Sequence, residues 1–163
     1  MTTTPSNKDF LKLLKEVNKK KEDERKVIKV LLQGICDNDA YIRVVWDFSN
    51  KFFYTPAVFY TTLGYTKEEI YEYTFKDLIH PLDYQRSMDV YSKNIKKGVS
   101  ILKNFYNRYV KKDGDYIWVH WVTGYNQQDI LLGSGQIVFI EEKDIPELVL
   151  KQINNYNKQN NVK

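Results

Sequence analysis

The chain of 163 residues holds 2 histidines and 1 cysteine, so side chains able to ligate a metal or attack a substrate are scarce. His80, in the run Leu78-Ile79-His80-Pro81, reads as a residue at a helix start. His120 alternates with Val119 and Trp121 and so reads as an outward-facing strand position. Two histidines without a carboxylate cluster do not make a zinc or transition-metal site. Cys36 has no partner for an internal disulfide or a multi-cysteine zinc site, which points to a reducing compartment and a cytoplasmic setting. No glycine-rich phosphate loop, Ser/His/Asp order or Cys with a histidine partner is visible, and the acids read as helix caps and surface charge. Gly133-Ser134-Gly135 reads as a hairpin turn. The expectation is therefore not an enzyme, and the remaining chemistry lies in the aromatics, 15% of the chain.

The elements that must position them follow from periodicity. Ser6 can cap a helix whose first turn holds Asp9, and Phe10, Leu13, Leu14, Val17, Val27, Ile28 and Leu31 share a helical stripe, predicting an amphipathic helix over 7–33. Residues 41–48 alternate as a strand, with Ile42, Val44, Trp46 and Phe48 on one face and Arg43 and Val45 on the other. A tight turn at 49–51 leads to a second short strand. Pro56 opens a short helix that ends near Gly64, and Thr66 with Glu69 forms a capping box for another. Pro81 opens a longer helix in which Tyr84, Met88, Tyr91 and Ile95 share a face. Three strands then occupy 100–142, split at 111–115 and 126–129, before a helix over 145–157. This segregation of helices and strands implies an α+β domain with an antiparallel sheet. The strand around 116–123 is apolar on both faces, so the sheet needs two covers. The outer one is expected from the N-terminal helix or from a second subunit.

Composition narrows the function. Hydrophobic residues make up 42% of the chain, enough for a folded core and far from the profile of intrinsic disorder. No run approaches the roughly 20 apolar residues of a membrane span, and the polar N-terminal segment is unlike a signal peptide. The net charge is +4, but the cations are interspersed with 21 acids rather than gathered into one stripe, which argues against nucleic acid as a partner.

Four segments carry a resemblance. Residues 63–70 (LGYTKEEI), 77–86 (DLIHPLDYQR), 107–119 (NRYVKKDGDYIWV) and 141–147 (EEKDIPE) together resemble the PAS sensory domains, in the family's order. They resemble more narrowly the subgroup with a DG hairpin followed by tryptophan. Asn107 stands where an aromatic is usual, and Pro146 replaces a threonine. The resemblance implies a five-stranded antiparallel sheet with a helical cap over 37–143, flanked by the N-terminal helix (1–36) and a C-terminal helix and tail (144–163). It also implies an interior that different members fill with flavin, haem, another small molecule or nothing.

Several of these are not expected here. Photoactive flavin members carry a reactive cysteine at the position similar to Phe75, photoactive yellow proteins need a cysteine deep in the domain, and haem-binding members take a ligand from the long helix, where residues 81–98 contain no histidine. The expected cofactor is none or an unknown small molecule. Its candidate pocket is Phe59, Phe75, Met88, Tyr91, Asn107, Tyr109, Val119, Trp121 and Ile140. The expected function is a stand-alone sensory or regulatory module that binds a small molecule or a partner protein and signals through its terminal helices. The expected assembly is a homodimer, formed through the stripe Phe10, Leu13, Leu14, Val17, Val27, Ile28 and Leu31. The alternative is a ligand-free dimerisation or adaptor module with a filled core.

Overall fold

In a computed structural model the described residues are 6–18, 41–47, 49–95, 99–127 and 132–162. Helix α1 (Asn7–Asn18) starts as the sequence predicts: the Ser6 hydroxyl accepts from the Asp9 backbone N–H at 3.2 Å, and Asp9 Oδ2 accepts from the Ser6 backbone N–H at 3.0 Å. The rest of the expected 7–33 helix lies outside the described residues. Strands β1 (Ile42–Asp47) and β2 (Phe52–Tyr54) form a hairpin whose turn holds Asn50 at φ 62°, a left-handed conformation that asparagine tolerates. Short helices α2 (Ala57–Thr62) and α3 (Lys67–Ile70) follow, the latter with the Thr66–Glu69 capping box intact. Helix α4 spans Pro81–Ile95, strands β3, β4 and β5 span Val99–Val110, Tyr116–Gln127 and Leu132–Ile140, and α5 spans Glu147–Gln159.

The five strands form one antiparallel sheet in the order β2-β1-β5-β4-β3. The C-terminal end of its β3 edge, Arg108–Val110, is covered rather than left as a template for other chains. His80 N–H donates to the Arg108 carbonyl and Val110 N–H to the Leu78 carbonyl, both at 2.8 Å, while the intervening Arg108 N–H donates to Asp83 Oδ2 at 2.7 Å. Residues 78–80, just before α4, thus pair with the end of β3 as a short sixth strand would.

The main core lies on the inner face, where Val44, Trp46, Tyr109, Val119, Trp121 and Ile137 meet Phe59, Leu63, Ile70, Phe75 and Leu78 from the helical segment. The outer face has two covers of its own, one more than the sequence named. Helix α1 covers the β1 end: Phe10 is fully buried with the Arg43 guanidinium 3.9 Å from its ring centre, and Arg43 also donates to Asn7 Oδ1. Helix α5 covers the other end, setting Ile153, Val149 and Leu150 against Tyr106, Trp118 and Ile140.

Four expectations change. Ile140 faces outward, because β5 pairs Phe139 with Val119 and Ile140 with Trp118, so Ile137 and Phe139 are the inward residues. Gly133-Ser134-Gly135 is not a turn but part of β5, paired with both β1 and β4. Phe10 is buried within its own chain and is therefore not a dimer contact; the side chains of Leu13, Leu14 and Val17, and all of Val27, Ile28 and Leu31, lie outside the described residues. On α4, Tyr84 is exposed, and the buried positions are Asp83, Arg86 and Ser87, because this helix faces a strand edge that carries polar groups.

Candidate functional site

The inner face is built around two indoles lying against β5. Trp46 on β1 and Trp121 on β4 sit edge to face, 6.2 Å between ring centres, and two residues that lack side chains make room for them. A Cβ on Gly133 would stand 2.8 Å or less from atoms of the Trp46 ring, and one on Gly135 2.8 Å or less from atoms of Trp121. The glycine spacing of two matches the strand period, which places both glycines on the inner face under the rings.

Around this pair the remaining rings close in. Phe75 lies 4.9 Å from Trp46 and 5.7 Å from Tyr91, Tyr109 lies 6.1 Å from Trp121, and Phe59 lies 6.5 Å from Tyr109 and 6.1 Å from Phe139. These are the separations of ordinary aromatic packing. Of the nine pocket residues expected from sequence, Phe59, Phe75, Tyr109, Val119 and Trp121 belong to this core, and Met88 and Tyr91 pack half-buried on its rim. Asn107 is buried beside it, and Ile140 alone is on the wrong side. The sequence list missed Trp46, although β1 alternation put it on one face with Val44, and missed both glycines.

Three polar groups among the rings decide what this face can bind. The Trp121 indole N–H donates to Asn107 Oδ1 at 2.9 Å, and Asn107 Nδ2 donates to Ser87 Oγ at 3.1 Å, a closed relay from β4 through β3 to α4. The Trp46 indole N–H and the Tyr109 hydroxyl are buried and have no partner among the described residues. Burial pushes the Tyr109 hydroxyl far above the ordinary tyrosine range, so it stays a neutral donor. A buried donor without an acceptor costs about 1–3 kcal/mol, and native interiors rarely leave one unmatched unless water or a ligand fills the place. The inner face therefore offers two neutral donors in an apolar, aromatic setting.

The β3 edge is its charged neighbour. Asp83 is fully buried and accepts from Arg108 through Nε at 2.9 Å, through Nη2 at 2.8 Å and through the backbone N–H, while the Arg108 guanidinium lies over Trp118 and Tyr116. Burial pushes the Asp83 carboxyl up, but the Arg108 hydrogen bonds together with the charges of Arg108 and Arg86 outweigh it and hold the group below the usual carboxylate value. His80 opens α4, its Nδ1 accepting from the Leu82 N–H at 3.2 Å, and burial followed by the Arg108 charge lowers its pKa. It is the helix-start residue the sequence indicated. His120 stacks on Tyr106 on the outer face, also as read. Among the described residues there is no group of three or more His, Cys, Asp or Glu placed to hold a metal, and no helix long and apolar enough to cross a membrane.

The sheet order, the helical segment between β2 and β3 and the inward aromatic face define a PAS fold. The family model described as "PAS fold" matches residues 52–129. Residues 52–129 are thus a PAS domain, of a family of sensory modules in signalling proteins. Among solved structures, the light state of the blue-light photoreceptor Aureochrome1 LOV is 20% identical, with a TM-score of 0.53 over 76% of this chain and 98% of that one. A light-oxygen-voltage domain studied with a flavin analogue is 16% identical, with a TM-score of 0.53 over 82% and 96%. A PAS domain from a two-component sensor histidine kinase is 15% identical, with a TM-score of 0.50 over 73% and 98%. At these identities the likeness is one of fold. No curated protein matches the sequence.

Proposed function

We propose that this protein is a non-enzymatic PAS sensory module that holds a small neutral molecule against the inner aromatic face and passes its state to the terminal helices. The observation that carries the reading is the pair of buried, unpartnered donors, Trp46 Nε1 and Tyr109 OH, on either side of Trp121. Helices α1 and α5 lie on the opposite face of the same strands, so a change in the inner packing reaches them through one layer of sheet. A homodimer and a protein partner belong to the same proposal, since a module of this kind acts by association. Exposed Leu148 on α5 and Val138 on β5 leave apolar surface for it. The photoreceptor and flavin structures of similar fold do not extend to this chain as flavin photochemistry, because Phe75 stands where the adduct cysteine would be.

Native mass spectrometry of the purified protein, with an absorption spectrum, tests the proposal. The expected result is one bound small molecule per chain without a visible flavin or haem band. A stoichiometric flavin or haem band overturns it. A bare chain mass favours the second reading, a ligand-free adaptor, for which the specific support is the close ring packing of Trp46 on Phe75. Sedimentation over a range of concentrations tests the dimer, and a monomer throughout removes that part.

A further inference from the structure

Among the described residues the buried polar atoms without partners include, away from the inner aromatic core, Trp118 Nε1, Thr55 Oγ1, Asn157 Oδ1 and two nitrogens of Arg86. Arg86 of α4 has a side chain only 8% exposed, and its Nε and Nη2 are buried with no hydrogen-bond acceptor. Its charge partner among the described residues is Asp83, with Nη2 3.5 Å from Oδ1, and that carboxylate is already engaged by three donors of Arg108. Two guanidinium groups therefore share one carboxylate, leaving a local charge of +1. Phe105 lies beneath the Arg86 guanidinium, 4.9 Å to the ring centre, and supplies no acceptor. Asp89, one turn further on, is exposed and bound to the Gln85 amide and the Tyr156 hydroxyl. On the same helix α5 as Tyr156, Asn157 Oδ1 is another buried atom without a partner.

A buried cation with unmade hydrogen bonds and no full counter-charge is costly, and proteins keep such groups where an anion completes them. The guanidinium fork matches the paired oxygens of a carboxylate or phosphate. We propose that Arg86 receives a small anion, a carboxylate or a phosphate group, at the junction of α4, β3 and α5. The anion neutralises the spare charge beside the point where Tyr156 of α5 bonds Asp89 of α4. The site is independent of the molecule on the inner aromatic face.

The test is thermal unfolding of the full chain in sodium phosphate and in sodium malonate, against sodium chloride at equal ionic strength. The expected result is a rise in Tm that saturates, is absent in chloride and is lost in Arg86→Gln, but is kept in Lys112→Gln at the exposed Lys112–Glu69 pair. A rise with phosphate alone assigns a phosphate, and one with malonate assigns a carboxylate. Phosphate also stabilises proteins through general exclusion from their surfaces, an effect that grows without saturating. A non-saturating response, or one equal in Arg86→Gln, therefore overturns the proposal. Should Arg86→Gln fail to fold, the Nε–H nuclear magnetic resonance signals of the chain's arginines decide. Selective movement of the Arg86 signal on titration with phosphate or malonate supports the site, and its standing still removes it.

Discussion

The inner face of the sheet and its β3 edge use neighbouring residues of the same strands to bury polar atoms, and they do so with opposite chemistry. On the inner face the buried groups are neutral donors among rings: Trp121 is satisfied through Asn107, while Trp46 and Tyr109 are not. At the edge they are charges, two arginines around Asp83. A neutral donor left alone costs on the order of one hydrogen bond, whereas a buried charge left alone costs several kcal/mol. The inner face can therefore carry an unmet donor without unfolding. The edge is the part of the domain that must remain paired.

The largest effects should appear where each region is cut at its centre. Trp121→Ala removes the ring that links Trp46, Tyr109 and Asn107 and should cost about 3–5 kcal/mol in chemical denaturation. Asp83→Asn keeps the shape but leaves two arginines without a counter-charge, at a similar cost of about 3–5 kcal/mol. The two are separated by pH. The Asp83 carboxyl is held below its ordinary value in the folded state, so the unfolded chain binds the proton more readily. Its contribution is full above the ordinary carboxylate value near 4 and is lost as pH falls through the lower folded value. The gap between wild type and Asp83→Asn should close on acidification over that window, while the gap for Trp121→Ala should not follow it. Equal pH dependence of the two would break the distinction between regions.

Smaller losses should follow from filling the space under the indoles. Gly133→Ala and Gly135→Ala each drive a methyl into a ring that is boxed by other rings, and such overpacking costs about 1–3 kcal/mol. Tryptophan fluorescence should shift in both variants, because the substituted atom touches the fluorophore. Ser134→Ala, between them and facing the other way, is the control, and it should leave the emission unchanged. An emission shift of the same size in the control would mean that β5 is not registered as described.

These glycines also mark where sequence reading stops. Alternation located β1 and β4, and it turned Val119 and Trp121 on β4 and Tyr109 on β3 inward, where the structure has them. In β5 the run Ile137 to Ile140 is apolar on both parities, so nothing in it says whether Ile140 or Phe139 faces the core; pairing with β4 settles that. Gly-Ser-Gly has ordinary turn chemistry, and only the position of two indoles from distant strands shows why a strand would carry it. Local caps were readable, as at Ser6–Asp9 and Thr66–Glu69, since both partners lie within one turn. Arg86 was not: its meaning depends on Asp83 being already occupied by Arg108, which lies on a different element far along the chain. The second cover, α5, was visible as a helix but not as a lid on Trp118, because a short amphipathic stripe does not name the face it meets.

The smallest expected change is the one that sharpens the inner face most. Tyr109→Phe removes one hydroxyl and almost no volume from a fully buried ring. If nothing accepts from that hydroxyl, the wild type carries an unmet donor, and removing it should leave stability unchanged or raise it by up to about 1 kcal/mol. If a small molecule accepts from it, the Tyr109→Phe variant loses that bond, the bound mass falls in native mass spectrometry and the melting temperature of the purified protein drops. The comparison is cleanest after unfolding and refolding without added small molecules, which leaves both chains empty. The refolded variant should then match or exceed the refolded wild type, reversing the order found for the purified proteins. A variant that is less stable both before and after refolding would mean that the hydroxyl has a partner within the chain, and that the inner face is a filled core.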